Sequence, residues 1–420
     1  MRAPTVTPKL QRIAAQAARD PQRVLTTLAP LIDEDFLREA YRHTRKARAP
    51  GIDGVTAQSD AEHLDENLHD LHERLHRGRS QAAPGERVWI EKDEGGQRPI
   101  GKPAFEDTIV QRAVAMLLEA IYAQDFDDGS YGFRQGRSPH EALHVLRPQC
   151  MTEGIGWIVD ADVSGYCDSS DSTRLREVLR KRVNDGGVRR LIGKWLRAGV
   201  MEEGALTHPE TGVGQGGVIS PVLAHIFLHD VLDAWFESEV RPRRHGRCFL
   251  IRFADDCVIG CARAEDAHKI MAVLPKRFGR FGLAMHPTQT TLITFRTPEA
   301  PQGSDSGNGT RTFLGVTHSW TQSRRGCWVM KRRTASTRLR RTKKAVWRWC
   351  RHNRHAPLQY QYQRLCAKLR GHCQAYGMRG NLRLLEDVRR CAEKAWQYWL
   401  RRRRSKNPIG WEKLKKLMPT

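Results

Sequence analysis

The sequence predicts an α+β fold, and three observations lead to this prediction. Apolar residues flank a tight acidic turn at Arg252–Cys257, a pattern typical of a β-hairpin. An apolar run from Trp157 to Val163 ends in acidic residues and Gly, and predicts a strand followed by a helix. The last quarter of the chain repeats apolar residues at helical spacing, so we expect it to be helical.

Asp255 and Asp256 lie at the tip of the predicted hairpin. Neighbouring carboxylates repel each other, so a fold that keeps both ionised needs a compensating cation. Mg²⁺, which takes oxygen ligands and substrate phosphates, is the candidate; the alternative is an ordinary solvated Asp-Asp turn. Asp162 supplies a third carboxylate at the end of the upstream strand. Three clustered carboxylates suit two-metal phosphoryl transfer, in which one ion activates a 3′-hydroxyl and the other stabilises the leaving pyrophosphate.

The chain is strongly basic. Its 420 residues include 71 Lys and Arg against 47 Asp and Glu, and from Thr321 onward the counts are 29 and four. Such an excess indicates a polyanionic partner, most often nucleic acid. No apolar run approaches the roughly 18 residues of a membrane span, and no signal peptide is visible. The ten cysteines contain no C-x-x-C pair, which fits a reducing cytoplasm better than a zinc module. We expect a cytoplasmic, nucleoid-associated protein with no membrane partner.

Periodicity and turn residues predict further elements along the chain. These are two short helices within residues 1–47, a helix over Asp60–Arg77, a strand at Arg87–Ile90 and a helix over Glu106–Tyr122. A Gly-rich loop at residues 212–221 precedes a helix from Val222 to Phe236, with Ser220 as its expected N-cap.

Two loops have the composition of phosphate-binding segments. Lys92, Arg98 and Lys102 surround a Gly-rich turn, and they either contact phosphates or belong to an ordinary charged hairpin. Ser130–Arg137 combines Gly, Arg and aromatic residues, which suits phosphate contact and base stacking. Each signal is weak in isolation, and the ordered set is strong.

In this order, the motifs resemble those of the group II intron-encoded reverse transcriptases and maturases of bacteria, over nearly the whole chain. The segments that carry the resemblance are Gly51–Gly54, Arg98–Gly101, Ser130–Arg134, Asp160–Asp162, Gln215–Pro221, Phe253–Asp256 and Phe313–Gly315. The resemblance implies a right-hand polymerase of fingers and palm with an α-helical thumb, which also serves as the maturase region. We divide the chain accordingly into an N-terminal helical extension (1–75), fingers and palm (76–318) and a basic thumb/maturase region (319–420).

By position, the resemblance implies that Asp162, Asp255 and Asp256 are the catalytic ligands of two Mg²⁺ ions. The segment similar to the primer grip consists of Phe313, Leu314 and Gly315. The implied partners are deoxynucleoside triphosphates, a target DNA primer and the intron RNA, which is both template and splicing substrate.

The positions matching the family's nucleotide-binding residues are Lys92, Arg98, Cys167 and Gln215. Lys92 and Arg98 match the phosphate contacts of the fingers, and Gln215 matches the residue beside the nascent base pair. Cys167 stands where the family carries an aromatic residue that excludes a 2′-hydroxyl, and Gln289 stands where relatives usually have a Lys near the leaving phosphates. A neutral Gln neither donates a proton as an acid nor offsets charge, so we expect weakened or less selective polymerisation.

The basic C-terminal region is the predicted RNA-binding part of the chain, because cationic faces with planar side chains suit backbone contact and stacking on RNA. The predicted contacts are Lys331, Arg332, Arg333, Arg340, Arg341, Lys343, Lys344, Arg401 and Arg402. The alternative is that the Trp residues, Trp396 and Trp399 above all, form the thumb core. The sequence stops soon after Trp411 without a Cys-rich, zinc-bound endonuclease, so we expect no second-strand cleavage.

Two functions remain open at this point. The first is an RNA-directed DNA polymerase that copies intron RNA into DNA from a DNA primer and assists splicing. The second is a maturase that binds intron RNA for splicing, with weakened or lost polymerase activity. The intact aspartates favour the first, and Cys167 and Gln289 favour the second. A metal-dependent nuclease would not account for the Gln-Gly-Gly loop or the basic helical region.

Overall fold

Helices and strands are mixed along the chain, which confirms the predicted α+β class. The computed structural model describes residues 8–91, 97–152, 154–164, 171–202, 205–207, 216–287, 290–297 and 309–403. The chain divides into two compact units, a first unit of Met1–Ala142 with Ile158–Leu292 and a second unit of Leu143–Trp157 with Ile293–Thr420. The functional boundaries placed after residues 75 and 318 stay predictions.

The helices account for most of the ordered backbone. In chain order they are α1 (Pro8–Arg19), α2 (Glu34–His43), α3 (Ala57–Ala61), α4 (Leu64–His76), α5 (Phe105–Tyr122), α6 (Pro139–Thr152), α7 (Ser172–Arg180), α8 (Gly186–Arg197), α9 (Ser220–Leu228), α10 (Ala264–Gly279), α11 (Ser336–His352), α12 (Leu358–Tyr376) and α13 (Leu382–Arg401). None of the described helices combines the length and the apolar character that crossing a bilayer requires.

Helix α9 differs from its prediction at both ends. It begins at Ser220, so Ile219 and not Ser220 is the N-cap residue. It continues through two π-helical turns, His229–Asp233 and Phe236–Val240, to a last helical turn at Arg241–Arg243. Periodicity at helical spacing predicts the helix but not these wider turns, which are rare and are frequently found at functional sites.

The described strands form three sheets. They are β1 (Gly85–Glu91), β2 (Gln97–Lys102), β3 (Trp157–Ser164), β4 (Val200–Glu202), β5 (Ala205–Thr207), β6 (Cys248–Phe253), β7 (Asp256–Cys261), β8 (Ala284–Met285), β9 (Thr291–Thr294), β10 (Arg311–Phe313), β11 (Val316–Gln322) and β12 (Trp328–Thr334). The first unit contains the orders β2–β1–β4–β5 and β6–β7–β3–β8, and the second contains β10–β11–β12. The predicted hairpin and the predicted strands at Trp157 and Arg87 are confirmed.

Helix α5 is the centre of the first unit's core. Its fully buried side chains include Ala113, Val114, Leu117, Leu118 and Ile121. A helix that is apolar on nearly all sides is stable only when it is surrounded, and α1 and α2 both pack against it. The helix predicted over Glu106–Tyr122 is therefore confirmed, and the predicted N-terminal helices belong to the same core.

The second unit has a core between α11, α12 and α13. Its buried cluster consists of Val346, Cys350, Leu365, Ala392, Ala395, Trp396 and Leu400. Trp396 is buried, and its indole N–H donates a 2.8 Å hydrogen bond to the Gln361 side-chain carbonyl. Trp399 packs against the cluster but is only partly buried. The core alternative is thus confirmed for Trp396, whereas Trp399 keeps part of its ring exposed.

The basic segment Lys331–Arg333 lies on a strand, although the sequence predicted a helix there. Strand β12 pairs with β11 over its whole length, with Met330 opposite Trp320 at the buried centre. Helix α11 begins only at Ser336. The basic residues conceal the strand, because Lys331, Arg332 and Arg333 follow one another with no apolar residue between them.

Candidate active site

Strands β6 and β7 place Asp255 and Asp256 at the tip of a buried hairpin. The last register pair is Phe253 with Asp256, so Ala254 and Asp255 alone form the turn. Ala254 has a φ of 59°, and a positive φ at the first turn residue is typical of type II′ turns. Since the strands below the turn are almost entirely buried, the position of the tip is fixed by the core.

Strand β3 lies beside β7 and brings Asp162 to the same tip. The N–H of Val163 donates to the Asp255 carbonyl at 3.3 Å, and the Cys257 thiol donates to the Ala161 carbonyl at 3.3 Å. Asp162 therefore lies between the two β3 residues that bond the hairpin. The structure brings the three predicted aspartates to one end of one sheet, where all three are half-buried.

The electrostatics of Cys257 agree with this juxtaposition. Burial raises the pKa of its thiol, and the negative charges of Asp256 and Asp162 raise it further. The thiol therefore stays protonated and can donate its hydrogen bond. Carboxylates from two strands act on one buried thiol, as expected when both strands end at the same place.

The three aspartates fit a divalent cation by donor type and by backbone position. Carboxylate oxygens are the ligands that Mg²⁺ prefers. Within the part of the chain that the structure describes, no group of three or more His, Cys, Asp and Glu side chains is already arranged as a metal site. The fit to a metal ion therefore rests on which residues the sheet brings together, and not on the orientations of their side chains.

A buried ion pair supports the turn from behind. Arg252 donates from Nε and Nη2 to the Asp233 carboxylate at 2.7 and 2.5 Å, and both side chains are 1% exposed. Burial by itself would raise the pKa of Asp233, but the charge and hydrogen bonds of Arg252 outweigh it and the pKa is lowered. Arg252 Nη1 donates to the Ala254 carbonyl at 3.1 Å. The ion pair therefore holds the turn that carries Asp255.

The loop after α5 covers the open edge of β6. The N–H of Arg252 donates to the Gly129 carbonyl at 2.8 Å, and the N–H of Tyr131 donates to the Arg252 carbonyl at 2.9 Å. Gly132 packs on the turn so closely that a Cβ there would lie 2.3 Å from the Ala254 nitrogen. Only glycine fits this contact, because a real Cβ cannot approach backbone to that distance.

The arginines of this loop stabilise the loop itself. Arg134 donates from Nη1 to the Ser130 and Asp127 carbonyls at 2.9 and 2.5 Å, and Arg137 pairs with Asp128. The large apolar side chain that the loop leaves exposed is Phe133, which is 51% exposed. The composition that suggested phosphate contact thus has a structural role in the described chain, whereas Phe133 is available for stacking.

A second pair of motifs meets at two glycines. Gly216, with a φ of +112°, packs against β2, where an added Cβ would lie 2.2 Å from the Gly101 carbonyl oxygen. Gln111 on α5 accepts a 2.8 Å hydrogen bond from the N–H of Val218. The Gly-rich loop therefore joins the segment that begins with Arg98.

Comparison with known protein families gives a match over the same motifs. A family model described as reverse transcriptase (RNA-dependent DNA polymerase) matches residues 90–318. The chain belongs to the reverse transcriptase family. The family's right-hand polymerase fold agrees with the mixed helices and sheets described above.

The relatives of this reverse transcriptase place it among the group II intron proteins and maturases. It is 37% identical to Protein YkfC of Escherichia coli (strain K12) over 227 residues, which are 52% of this chain and 60% of that protein. It is 31% identical to Group II intron-encoded protein LtrA of Lactococcus lactis subsp. cremoris over 224 residues, 53% of this chain and 37% of that protein. It is 33% identical to Nuclear intron maturase 1, mitochondrial, of Arabidopsis thaliana over 96 residues, 23% of this chain and 13% of that protein.

The two bacterial matches cover about half of the reverse transcriptase chain, whereas the motifs predicted resemblance over nearly all of it. The chain also spans less than two thirds of the length of both bacterial relatives. What is established is therefore the family, and the individual residue roles are proposals.

Several predicted nucleotide contacts lie outside the described residues of this reverse transcriptase. They are Lys92, Cys167, Gln215 and Gln289. Arg98 is described only in its backbone, which pairs with Ile90 in the β1–β2 hairpin. Lys102 forms a 2.8 Å ion pair with Glu86 on the facing strand, which agrees with the charged-hairpin alternative for that residue.

The predicted primer grip is a second two-residue hairpin, in the second unit. Phe313 is buried and pairs with Val316, so Leu314 and Gly315 form the turn between β10 and β11. Their φ values are 52° and 75°, and two successive positive values are typical of a type I′ turn. The Gly315 carbonyl accepts a 2.9 Å hydrogen bond from the N–H of Ala335, which fixes the turn against the start of α11.

Backbone strain coincides with the motifs of this reverse transcriptase. Among the described residues, the non-glycine residues with positive φ are Phe133, Ala254 and Leu314. Each lies in a segment that the sequence had identified by its motif. Such conformations cost about 1–3 kcal/mol each and persist where the surrounding structure enforces them, most often at functional sites.

The predicted RNA contacts of the second unit differ in their accessibility. The exposed ones are Arg333, Arg340, Arg341, Lys344, Arg401 and Arg402. Lys343 pairs with Asp387, and Arg332 donates to the Leu143 carbonyl at 3.2 Å. The Arg402 guanidinium lies 4.2 Å from the Tyr398 ring centre. Cations and aromatic rings therefore share one face at the end of α13.

Sequence analysis missed the residues that support the hairpin. Gly132 and Arg252 lie in segments that the sequence had identified, but neither was predicted to support the hairpin, and Asp233 belongs to no metal or phosphate pattern. The one available signal was an Arg inside an otherwise apolar strand. A buried strand tolerates such a residue only when a carboxylate is paired with it, so Arg252 predicted a buried acid without identifying it.

Proposed function

We propose that this reverse transcriptase copies the RNA of a group II intron into DNA from a DNA primer, and binds the intron RNA to assist splicing. The observation that carries the proposal is the 3.3 Å hydrogen bond from Val163 N–H to the Asp255 carbonyl, which holds Asp162 beside the acidic turn. Nucleotidyl transfer needs carboxylates from separate segments at one place, and this bond supplies that condition.

Asp162, Asp255 and Asp256 would hold two Mg²⁺ ions, which when bound stabilise the attacking 3′-oxygen and the leaving pyrophosphate. The chain's own contribution is to keep the carboxylates in position. Arg252 fixes the Ala254 carbonyl at 3.1 Å, and the buried ladder of β6 and β7 fixes both ends of the turn. The half-buried aspartates leave one side open to substrate.

In this proposal the incoming nucleotide contacts Lys92, Arg98 and Gln215, and Cys167 lies near its sugar. The contact of Gly216 with Gly101 supports a shared site, because it joins the segments that contain Gln215 and Arg98. The type I′ turn at Leu314 and Gly315 would support the primer terminus. Template and primer are intron RNA and target DNA.

A second candidate function is a maturase with weakened polymerase activity. It is supported by the cationic-aromatic face of the second unit, where the guanidinium groups of Arg351, Arg354 and Arg402 lie 5.8–5.9 Å from the Trp399 ring centre. Stacked cations beside a partly exposed ring suit irregular RNA. Cys167 and Gln289 favour this candidate, because both depart from the polymerase pattern.

Primer extension on poly(rA)/oligo(dT) with Mg²⁺ separates the two candidates. We expect synthesis by the wild type and none by an Asp255→Ala, Asp256→Ala variant, because that variant lacks two of the three carboxylates. Equal synthesis by both proteins would overturn the assignment of the aspartates. No synthesis by the wild type, together with tight RNA binding, would leave the maturase candidate.

The altered nucleotide positions are tested by restoring the family's residues. We expect a Cys167→Phe, Gln289→Lys variant to extend primers faster than the wild type and to discriminate more strongly against ribonucleotides. Equal, robust activity of both proteins would contradict weakened polymerisation.

A further inference from the structure

Five arginines surround a surface pocket between α7 and α8, in the first unit. The pocket has a volume of about 290 Å³, and its arginines are Arg176, Arg180, Arg189, Arg190 and Arg197. Its other lining residues are small or aliphatic, and none of the described residues that line it is acidic or aromatic. We call this site the α7–α8 arginine pocket.

Four of the five arginines are not balanced by carboxylates of the described residues. Arg176, Arg180, Arg189 and Arg190 make no ion pair with any described residue, and Arg189 donates instead to the Asn184 side-chain carbonyl at 2.6 Å. Basic residues just outside the pocket do pair with acids, since Arg174 pairs with Glu177 and Lys181 with Asp230. These four arginines differ from the neighbouring basic residues in this respect.

The acid nearest in the sequence to the arginines of α8 already has hydrogen-bond partners. Asp185 is buried, and its carboxylate accepts hydrogen bonds from the N–H groups of Leu28, Ala29 and Val188 at 2.7, 3.2 and 2.8 Å. It caps α8 and connects this helix to the N-terminal segment. Turning it towards the arginines would leave three backbone donors without their acceptor, so it does not neutralise them.

A glycine opens the centre of the pocket. Gly193 lies on the same face of α8 as Arg189 and Arg197, at four-residue spacing. A Cβ on Gly193 would lie 3.7 Å from a terminal nitrogen of Arg176 and 3.8 Å from one of Arg197, so these two nitrogens are less than 8 Å apart. Cations this close repel each other, and an anion between them turns the repulsion into two attractions.

We propose that the α7–α8 arginine pocket binds phosphate groups of a nucleic-acid backbone, as a contact separate from the acidic turn and from the basic second unit. Guanidinium groups bind phosphate through paired, charge-assisted hydrogen bonds, and Gly193 places no side chain between those of Arg176 and Arg197. The absence of aromatic residues from the described lining argues against base recognition, so the contact adds affinity without sequence preference.

The test compares two double variants that remove the same charge. Arg180→Gln with Arg190→Gln neutralises one exposed arginine on each side of the pocket. Arg174→Gln with Lys181→Gln is the matched control, because it removes two exposed cations outside the pocket. Binding of labelled oligo(rU) and of oligo(dT) of equal length is measured by fluorescence anisotropy across a salt series, with circular dichroism as the check of folding.

We expect the pocket variant to bind roughly tenfold more weakly at moderate salt, with a salt slope reduced by about 1.4, since each single-strand phosphate contact contributes about 0.7. The control should change both quantities much less. A loss with both probes identifies the shared phosphate backbone, and a loss with oligo(rU) alone identifies RNA; either supports the proposal. Equal losses in both variants, or no loss in the pocket variant, would overturn it.

A second variant tests the centre of the pocket without removing any arginine. Gly193→Glu places a carboxylate between the two guanidinium groups, and we expect it to weaken binding at least as strongly as the double variant. Gly193→Ala is its control, because its Cβ makes only ordinary contacts at 3.7 and 3.8 Å. Unchanged binding by a folded Gly193→Glu protein would contradict the proposal. These assays measure binding, so an inactive polymerase centre would not alter their outcome.

Discussion

Two hairpins of this reverse transcriptase have the same construction up to the turn and differ in what holds the turn in place. Both have two-residue turns whose first residue is a strained non-glycine, Ala254 at 59° and Leu314 at 52°. In the β10–β11 hairpin the second residue is Gly315, which adopts its positive φ of 75° without a Cβ penalty. In the β6–β7 hairpin the second residue is Asp255.

The difference follows from the two turn types. A type I′ turn needs a positive φ at both residues, and Gly315 supplies the second, whereas a type II′ turn needs one only at its first residue, so Asp255 occupies the second position without strain. The β6–β7 turn is held instead by groups from outside the hairpin, namely the Arg252–Asp233 ion pair and the backbone of Gly132. The β10–β11 turn is therefore stabilised by its own glycine, whereas the β6–β7 turn is stabilised by tertiary contacts.

The largest expected effect comes from breaking the buried ion pair. Arg252→Met leaves the Asp233 carboxylate buried without its partner, and we expect a loss of about 3–5 kcal/mol in the free energy of unfolding. Urea denaturation measures it. Arg137→Met is the control, because Arg137 pairs with the exposed Asp128 and surface pairs contribute at most about 1 kcal/mol.

A second substitution separates stability from positioning. Arg252→Met with Asp233→Leu removes both charges, and we expect it to recover much of the lost stability because an apolar pair replaces a buried ion pair. Primer extension should stay low, since nothing then holds the Ala254 carbonyl. Full recovery of synthesis in this double variant would mean that the ion pair serves stability alone.

Gly132→Ala acts on the β6–β7 turn directly. Its Cβ would lie 2.3 Å from the Ala254 nitrogen, so the turn must move. We expect primer extension to fall roughly 100-fold, the effect of a displacement of about 1 Å at a reacting centre, with a stability loss of about 1–3 kcal/mol. Gly371→Ala, where nothing lies within 4 Å of the new Cβ, should leave synthesis unchanged. Wild-type synthesis by Gly132→Ala would refute the support from this loop.

Protonation of a buried histidine should weaken both hairpins alike. Burial lowers the pKa of His225, beside Ser130, to about 2, and lowers that of His318 on β11 to about 3. The unfolded chain binds these protons near pH 6.5, so stability is complete above that pH and falls below it, by up to about 1.4 kcal/mol per pH unit for each histidine.

Unfolding free energies measured between pH 7 and about pH 5 check this dependence. His225→Gln and His318→Gln should each flatten the profile, and the double variant should flatten it most. An unchanged slope in either single variant would show that the histidine is already protonated in the folded chain.

The smallest expected effects come from giving each turn the residue that its geometry favours. Ala254→Gly suits the first position of a type II′ turn, and Leu314→Asn creates the Asn-Gly pair of a type I′ turn. We expect each substitution to raise the free energy of unfolding by about 0.5–1 kcal/mol, which is measured as a small rise in the midpoint of thermal unfolding. A larger gain from Ala254→Gly than from Leu314→Asn would mean that external support had left more strain in the β6–β7 turn.

The elements that the sequence predicted are those whose signals are local. Two apolar runs around an acidic turn predicted the Asp255 hairpin, and helical spacing predicted α5. The Arg252–Asp233 pair could not be predicted, because its members are 19 residues apart and no local rule joins them. Strand β12 was predicted as a helix, because its pairing with β11, and not its own residues, makes it extended.

The π-helical turn at His229–Asp233 makes the position of Asp233 depend on the number of residues in this helix. It accommodates a residue that a regular helix would have to exclude, and Asp233 is the residue at its end. Deleting one residue between Leu228 and Asp233 would rotate the carboxylate about 100° around the helix axis, away from Arg252. A change in the length of this helix would therefore remove the acid from Arg252, and with it the support of the turn that carries Asp255.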